Sequence, residues 1–273
     1  MAPNLAQNKA QLTIGIRDSG VGGLTVARRV LERFPNANLL YFADTAHVPY
    51  GDKTPQQVRH YALSISRFLI AQGAQMLVFA CNTTSALALD RARDCFPDIP
   101  IFGVIRPGAR VAATMSSGKV GVLATAATVQ TRVYTRVLHE YRADLAVEEI
   151  ACPAFVPLVE AQQTQSLEAL EACKHYLAPL QRANVDTVIL GCAHYPLLLP
   201  ALQKVAPEIR FIDPATAVAD EVAQSVSDNT SGESSRRFFV SGEKSGVASW
   251  IENLLQIEQP RLEDGPVFDF IES

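Results

Sequence analysis

The chain has 273 residues, 48% of them hydrophobic and 19% charged, with a formal net charge of −4. That balance is ordinary for a globular protein, and the lack of any long basic run argues against a nucleic-acid footprint. The opening MAPNLAQNKAQLTIGI has no charged head before a long apolar core, no window reaches the roughly 18 apolar residues of a membrane span, and the five cysteines read as reduced thiols of a cytoplasmic protein rather than a disulfide framework.

Residues 1–10 read as a loose tail. QLTIGI is then a short apolar strand, DSGVGG a turn, LTVARRVLERF a helix and NLLYFAD a strand. TPQQVRHYALSISRFLIAQG is a long helix, opened by Thr54 with Pro55 in its first turn and closed by Gly73. MLVFA is a buried strand, TTSALALDRARDCF a helix and IPIFGV a strand. KVGVLA starts a second round, followed by helix VQTRVYTRVLHEY, strand LAVEEIA, helix SLEALEACKHYLAPLQRAN, strand DTVILG, helix LLLPALQKVA and strand IRFID. A helix TAVADEVAQSV, a polar loop SDNTSGESS, a strand RRFFVSG and a helix VASWIENLLQI complete the chain. Such alternation predicts an α/β fold of parallel, doubly wound sheets.

The two rounds match each other. Ile14 falls on Val120, Leu31 on Leu138 and Cys81 on Cys192, at separations of 106, 107 and 111 residues. So small a drift predicts an internal duplication, hence two pseudo-symmetric α/β domains. The first comprises residues 11–104 with 215–273 and carries Cys81. The second comprises residues 105–214 and carries Cys192. The active site is expected in the cleft between them.

In open α/β sheets, sites form where strand ends lead into helix N-termini. This chain loads those junctions with polar residues: DSGVGG, DTAHVPYG, CNTTSA, TAATVQT and CAHYP. Cys81 stands where MLVFA gives way to a helix, whose N–H groups and dipole would lower a thiol pKa and whose small residues would leave the sulfur accessible. Read alone, such a cysteine is better explained by packing than by chemistry. Cys192 repeats the position, with His194 two residues on. Zinc would want three or four ligands and no C-x-x-C occurs; a redox pair would sit in C-x-x-C or beside a resolving thiol, and a Cys–His acyl-transfer nucleophile needs one cysteine and leaves the duplicate unexplained. Proton transfer across a plane does use two like groups, a thiolate removing a proton on one face and a thiol returning one on the other.

Asp18 and Ser19 stand at the first strand end, where the glycines let backbone N–H groups approach an anion. Asp18 could orient an ammonium, assist a thiol or simply cap the next helix. Asp44 and His47 lie in DTAHVPYG, where Tyr50 and Gly51 could shape a pocket mouth. Glu160 could reach the site or be a solvated helix residue. Cys95, Cys152 and Cys173 have no counterparts and read as packing residues, and His60, His139 and His175 as structural or exposed.

Together IRDSGVGGLTV, DTAHVPYG, ACNTTSA, GVLATAATVQT, ACPAFVPLVE and LGCAHYPLL resemble the glutamate racemases of the aspartate/glutamate racemase family, in order and spacing from Ile16 to Leu198. The resemblance implies cofactor-independent interconversion of L- and D-glutamate for peptidoglycan synthesis by a cytoplasmic protein. It implies a small-molecule substrate, no nucleic-acid or membrane partner, and a homodimer. By the same resemblance Cys81 acts on the D-enantiomer and Cys192 on the L-enantiomer, assisted by Asp18 and His194 respectively. Substrate-binding positions carry over to Asp18, Ser19, Tyr50, Gly51, Asn82, Thr83, Thr125, Ala193 and His194, and Thr128 shares the loop of Thr125. Three residues depart from the family's pattern: Ala193 stands where Thr is usual, Arg17 where an apolar residue is usual, and His47 where Arg is common. Aspartate racemisation and non-catalytic binding of an acidic amino acid remain the alternatives.

Overall fold

Wholly buried apolar runs such as MLVF and TVILG are what parallel strands covered on both faces require, and the chain builds two sheets from them. The computed structural model describes residues 11–226, 234–244 and 246–271. The chain runs β1 (Thr13–Asp18), α1 (Leu24–Arg33), β2 (Asn38–Ala43), a 3-10 turn at Tyr50–Asp52, α2 (Pro55–Ala71), β3 (Met76–Phe79), α3 (Asn82–Leu87), α4 (Leu89–Cys95) and β4 (Ile101–Gly103). It continues through α5 (Ile105–Met115), β5 (Lys119–Ala124), α6 (Ala126–Gln130), α7 (Val133–Tyr141), β6 (Ala146–Ala151), α8 (Phe155–Glu160), α9 (Leu167–Arg182) and β7 (Thr187–Gly191). A 3-10 turn at Tyr195–Leu198 leads to α10 (Leu199–Val205), β8 (Arg210–Ile212), α11 (Pro214–Ser225), β9 (Arg236–Val240), α12 (Val247–Leu255) and β10 (Leu262–Asp264).

Six strands form one sheet in the order β10-β9-β2-β1-β3-β4, and four form another in the order β6-β5-β7-β8. Every pairing is parallel. The order β2-β1-β3-β4 is therefore repeated as β6-β5-β7-β8, which puts β3 and β7 at equivalent places. Cys81 and Cys192 each follow the last residues of these strands. Pairing of β9 with β2 adds the C-terminal segment to the first sheet. Side chains of α11, Ala215, Val218, Ala219 and Val222, share a core with Ile14, Ile16 and Met76 of that sheet.

Local chemistry explains most boundaries. Thr54 and Gln57 form a reciprocal capping box ahead of Pro55, and Gly73 takes the left-handed backbone (φ 99°) that ends the segment. Other elements differ from expectation. The single helix expected after Cys81 is two, broken at Ala88 (φ −133°, ψ −9°), which both ends one helix and starts the next. The helix expected over VQTRVYTRVLHEY is likewise divided, with Arg132 left-handed between α6 and α7. Helix α5 was not expected. Pro107 sits in the first turn, where no N–H is needed, and Gly108 packs so closely that a Cβ would come 2.9 Å from Pro214. The short β10 was also missed. Cys95 is exposed at the end of α4 rather than packed. The expected tail over 1–10 and residues 227–233 of the expected loop lie outside the described residues.

Candidate active site

The turn DSGVGG folds back onto its own aspartate. Asp18 is fully buried at the end of β1, and its Oδ2 accepts the backbone N–H groups of Gly20 (3.1 Å) and Gly23 (2.9 Å). The anion that these glycines approach is thus Asp18 itself, and the Gly23 bond makes it in part a cap for α1. Its Oδ1 has no hydrogen-bond partner within the protein. Burial pushes the Asp18 carboxyl up, against the opposing pull of His194, Gly23, Gly20 and Arg17. Ser19 is buried beside it.

Cys81 is only 6% exposed, and burial raises its thiol pKa, helped by the Asp18 charge and opposed by Arg17 and Thr84. The expectation of an accessible, acidified thiol is therefore reversed. The helix N-terminus is present, but desolvation of the thiolate outweighs it.

Cys192 sits in a different setting. Its Sγ lies 3.8 Å from His194 Nδ1, and His194 Nε2 lies 2.6 Å from Glu160 Oε1. Burial alone would depress the imidazolium. Hydrogen bonds and charge from Cys192 and Glu160 overcome that and hold its pKa well above the usual histidine value. Glu160, though penalised by burial, is held below the usual carboxylate range by His194 and the Val21 N–H. Protonated His194 then donates to both neighbours, through Nδ1–H to the sulfur and Nε2–H to the carboxylate. Glu160 on α8 reaches the site and is no solvated bystander.

Close backbone contacts knit the two halves together. A Cβ on Gly22 would come 2.4 Å from His194 Nδ1, 2.7 Å from His194 N and 2.8 Å from Ala193 C. On Gly20 it would come 2.5 Å from Glu160 Oε1. Thr25 Oγ1 donates to the Ala193 carbonyl at 3.4 Å. Thr83, Thr125 and Thr128 form a hydroxyl triangle with edges of 2.9, 3.0 and 3.3 Å. Tyr134 of α7 donates to Asn82 Oδ1 at 2.6 Å. A Cβ on Gly51 would stand 3.1 Å from Thr125 Cβ, so the PYG turn closes on that loop.

A polar chain lies under the PYG turn. Tyr50 donates to Asp44 Oδ2 (2.5 Å) and accepts from Arg17 Nη2 (3.1 Å). Asp44 also binds His47 Nδ1 (2.9 Å) and the Ser241 hydroxyl (2.6 Å). Despite burial, which raises it, bonds from His47, Ser241 and Tyr50 hold the Asp44 carboxyl below its usual range.

The anticipated residues are thus linked in two sets and by the contacts between them. Tyr134, Thr25 and Ser241 were missed. Tyr134 and Thr25 lie within helical apolar periodicity, and Ser241 belongs to the added strand, so no short-range signal marked them. Among the described residues no group of three His, Cys, Asp or Glu is placed to hold a metal ion.

An α/β pair of like-ordered sheets with a thiol at each matching strand end is the architecture of a racemase. The chain belongs to the Asp/Glu/hydantoin racemase family, whose model matches residues 24–222, and it is an isomerase. The glutamate racemase of Synechocystis is 42% identical over 234 residues, 84% of this chain and 83% of the relative. The crystal structure of glutamate racemase isoform RacE1 from Bacillus anthracis superposes with a TM-score of 0.88 at 33% identity, covering 95% of this chain and 99% of that one. The glutamate racemase of Francisella tularensis, solved in complex with D-glutamate, gives 0.87 at 30% identity, covering 94% and 98%.

Proposed function

We propose that this chain interconverts L- and D-glutamate without a cofactor, one cysteine sulfur taking the Cα proton while the other delivers a proton to the opposite face. The observation that carries this is the equivalent placing of Cys81 and Cys192 at the ends of β3 and β7 in two like-ordered sheets. Cys81 takes the proton of the D-enantiomer and Cys192 that of the L-enantiomer. In either direction one thiolate becomes a thiol and the other thiol a thiolate, so each turnover leaves the pair in the mirror-image protonation state. Asp18, whose charge acts on Cys81, and His194, which contacts Cys192, are the groups to relay protons when the pair resets.

The Cα–H bond is weakly acidic, so the site has to stabilise carbanion-like charge with preorganised donors and to exclude water. Burial of both sulfurs supports the second requirement; they are 6% and 7% exposed. The free Oδ1 of Asp18 suits the substrate ammonium. Backbone N–H groups and hydroxyls at Ser19, Tyr50–Gly51, Asn82–Thr83, Thr125 and Ala193–His194 suit its carboxylates. Because both sulfurs are enclosed, substrate gains access by a hinged parting of two units. One unit is residues 11–104 with 215–273, and the other residues 105–214. D-Glutamate made this way supplies peptidoglycan synthesis, in the cytoplasm, by a homodimer. Among the described residues no helix is long and apolar enough to cross a membrane.

The test is Cα–H exchange in deuterated water. Pure protein incubated with L-glutamate alone is expected to lose the Cα–H signal while optical rotation decays to zero. No exchange with L-glutamate or L-aspartate would sink the racemase assignment, and exchange with aspartate alone would sink the glutamate assignment.

A further inference from the structure

Arg17 is an unusual residue to find where it is. It lies on β1, the strand between β2 and β3, in register with Phe42 and Phe79, and is fully buried. Its guanidinium carbon stands 5.4 Å from the Phe79 ring centre and 5.5 Å from that of Tyr50. Its single hydrogen bond goes to the Tyr50 hydroxyl, and Nε and Nη1 have no partner within the protein. Among the described residues no carboxylate is ion-paired with it. A buried cation left in that state costs several kcal/mol (about that order) unless function or a wider field repays it.

The field is present. In-register residues of parallel strands face the same side of the sheet, so Arg17 shares a face with Phe79 and, two residues on, with Cys81. Titratable groups of several elements surround it: on its own face Tyr50 of the 3-10 turn, Tyr61 of α2 and Cys81 before α3, past the end of β2 Asp44 and His47, and on the opposite face of the sheet Asp18 of β1 and Tyr41 of β2. Asp18 opposes a thiolate at Cys81, and Arg17 is the charge that favours one. Arg17 also holds the Tyr50 end of the chain Tyr50–Asp44–His47. Two of this sequence's departures, Arg17 and His47, therefore stand at the two ends of one hydrogen-bonded chain.

We propose that Arg17 is a positioning residue for the Cys81 half of the reaction: its buried guanidinium supplies the fixed positive charge beside Cys81 and pins Tyr50 over that end of the site. The assignment of a reaction rests on the racemase reading, whereas the effect on the Cys81 sulfur does not.

The experiment separates the two. Alkylation of Cys81 by iodoacetamide in the substrate-free protein is followed against pH by peptide mass spectrometry, in wild type, Arg17→Met and Arg17→Lys. Arg17→Met is expected to move the midpoint of the profile upward and to slow alkylation at pH 8 roughly tenfold, the low end of what a nearby cation does to a thiol. Arg17→Lys keeps the charge and returns most of the rate. If Arg17→Met does not fold, Arg17→Gln is read in its place. In turnover, kcat/KM falls by the same factor with either enantiomer, since the equilibrium constant of a racemisation is unity, and its acid limb moves upward in pH. An unmoved alkylation profile in the folded neutral variant overturns the proposal, even if the protein racemises glutamate. A moved profile in a protein that racemises nothing upholds the charge and sinks only the reaction.

Discussion

The Cys81 and Cys192 ends of the site occupy equivalent positions on equivalent strands, yet they are wired differently. At Cys192 an imidazolium is built in: His194 touches the sulfur, and Glu160 holds the imidazole protonated. Among the described residues no histidine is hydrogen-bonded to Cys81. A buried carboxyl, Asp18, lies nearby with its pKa raised by burial, and the thiol is raised by burial as well. Duplication of a scaffold thus conserves where a group sits, while the loops decide how that group is charged. One end sets an imidazole–carboxylate pair, His194 with Glu160, against its sulfur, and the other a thiol whose ionisation burial opposes.

Removing either sulfur breaks the comparison outright. Cys81→Ala and Cys192→Ala are each expected to lower kcat for racemisation by about 10³-fold or more, because the two groups act as a unit. Circular dichroism and the unfolding midpoint should stay near wild type, since each change only removes a sulfur atom from a small side chain. Full activity in either variant would contradict the two-base scheme.

Next in size is the charge behind His194. Glu160→Gln keeps an acceptor for Nε2–H and removes the negative charge. With Glu160 neutral the His194 pKa falls from its raised position, so the imidazolium beside Cys192 is lost at lower pH than in wild type. We expect kcat/KM to drop about 10²-fold near neutrality, the low end of one acid–base contribution, and its alkaline limb to move toward acid. The same substitution should leave the pH profile of Cys81 alkylation in place. A shift there instead would show the two ends to be electrically one.

The contact that holds the ends together can be strained directly. Gly22→Ala drives a Cβ into the backbone of His194 and Ala193, which no side-chain rotation relieves. Overpacking of this kind costs about 1–3 kcal/mol. Thermal unfolding should begin several degrees earlier, and kcat/KM should fall about tenfold. Unchanged turnover would mean that the DSGVGG turn and the CAH turn need not meet during catalysis.

Much of this was legible beforehand, for a reason particular to the fold. Parallel strands announce themselves as apolar runs, and their carboxyl ends are where chemistry sits, so Cys81, Cys192, Asp18 and the loops around them could be found from local sequence. What escaped depends on enclosure or on distant partners. The sign of the Cys81 shift is one case: a helix N-terminus is visible in CNTTSA, but the burial that outweighs it is assembled from residues such as Tyr50, Tyr61 and Phe239 elsewhere in the chain. The bond from Tyr134 to Asn82 and the threonine triangle are others, each joining residues 40 or more positions apart. Helix α5 went unread as well, and only the fold shows Pro107 seated in its first turn and Gly108 in tight contact with Pro214.

The smallest expected effect concerns the residue after Cys192. Asn82 and Thr83 follow Cys81 and offer side-chain hydrogen bonds; Ala193 offers only its backbone. Ala193→Thr would give the Cys192 end a hydroxyl comparable to that of Thr83. One neutral hydrogen bond is worth about 0.5–1.5 kcal/mol net, so KM for glutamate should fall about 2- to 10-fold. Because such a bond serves ground state and transition state alike, kcat should hardly move. A rise in KM would carry a different message. Ala193 is buried and packed under Gly22, so that result would mean this chain has closed the turn too tightly for the larger side chain, and that its DSGVGG contact has been gained where a substrate bond was given up.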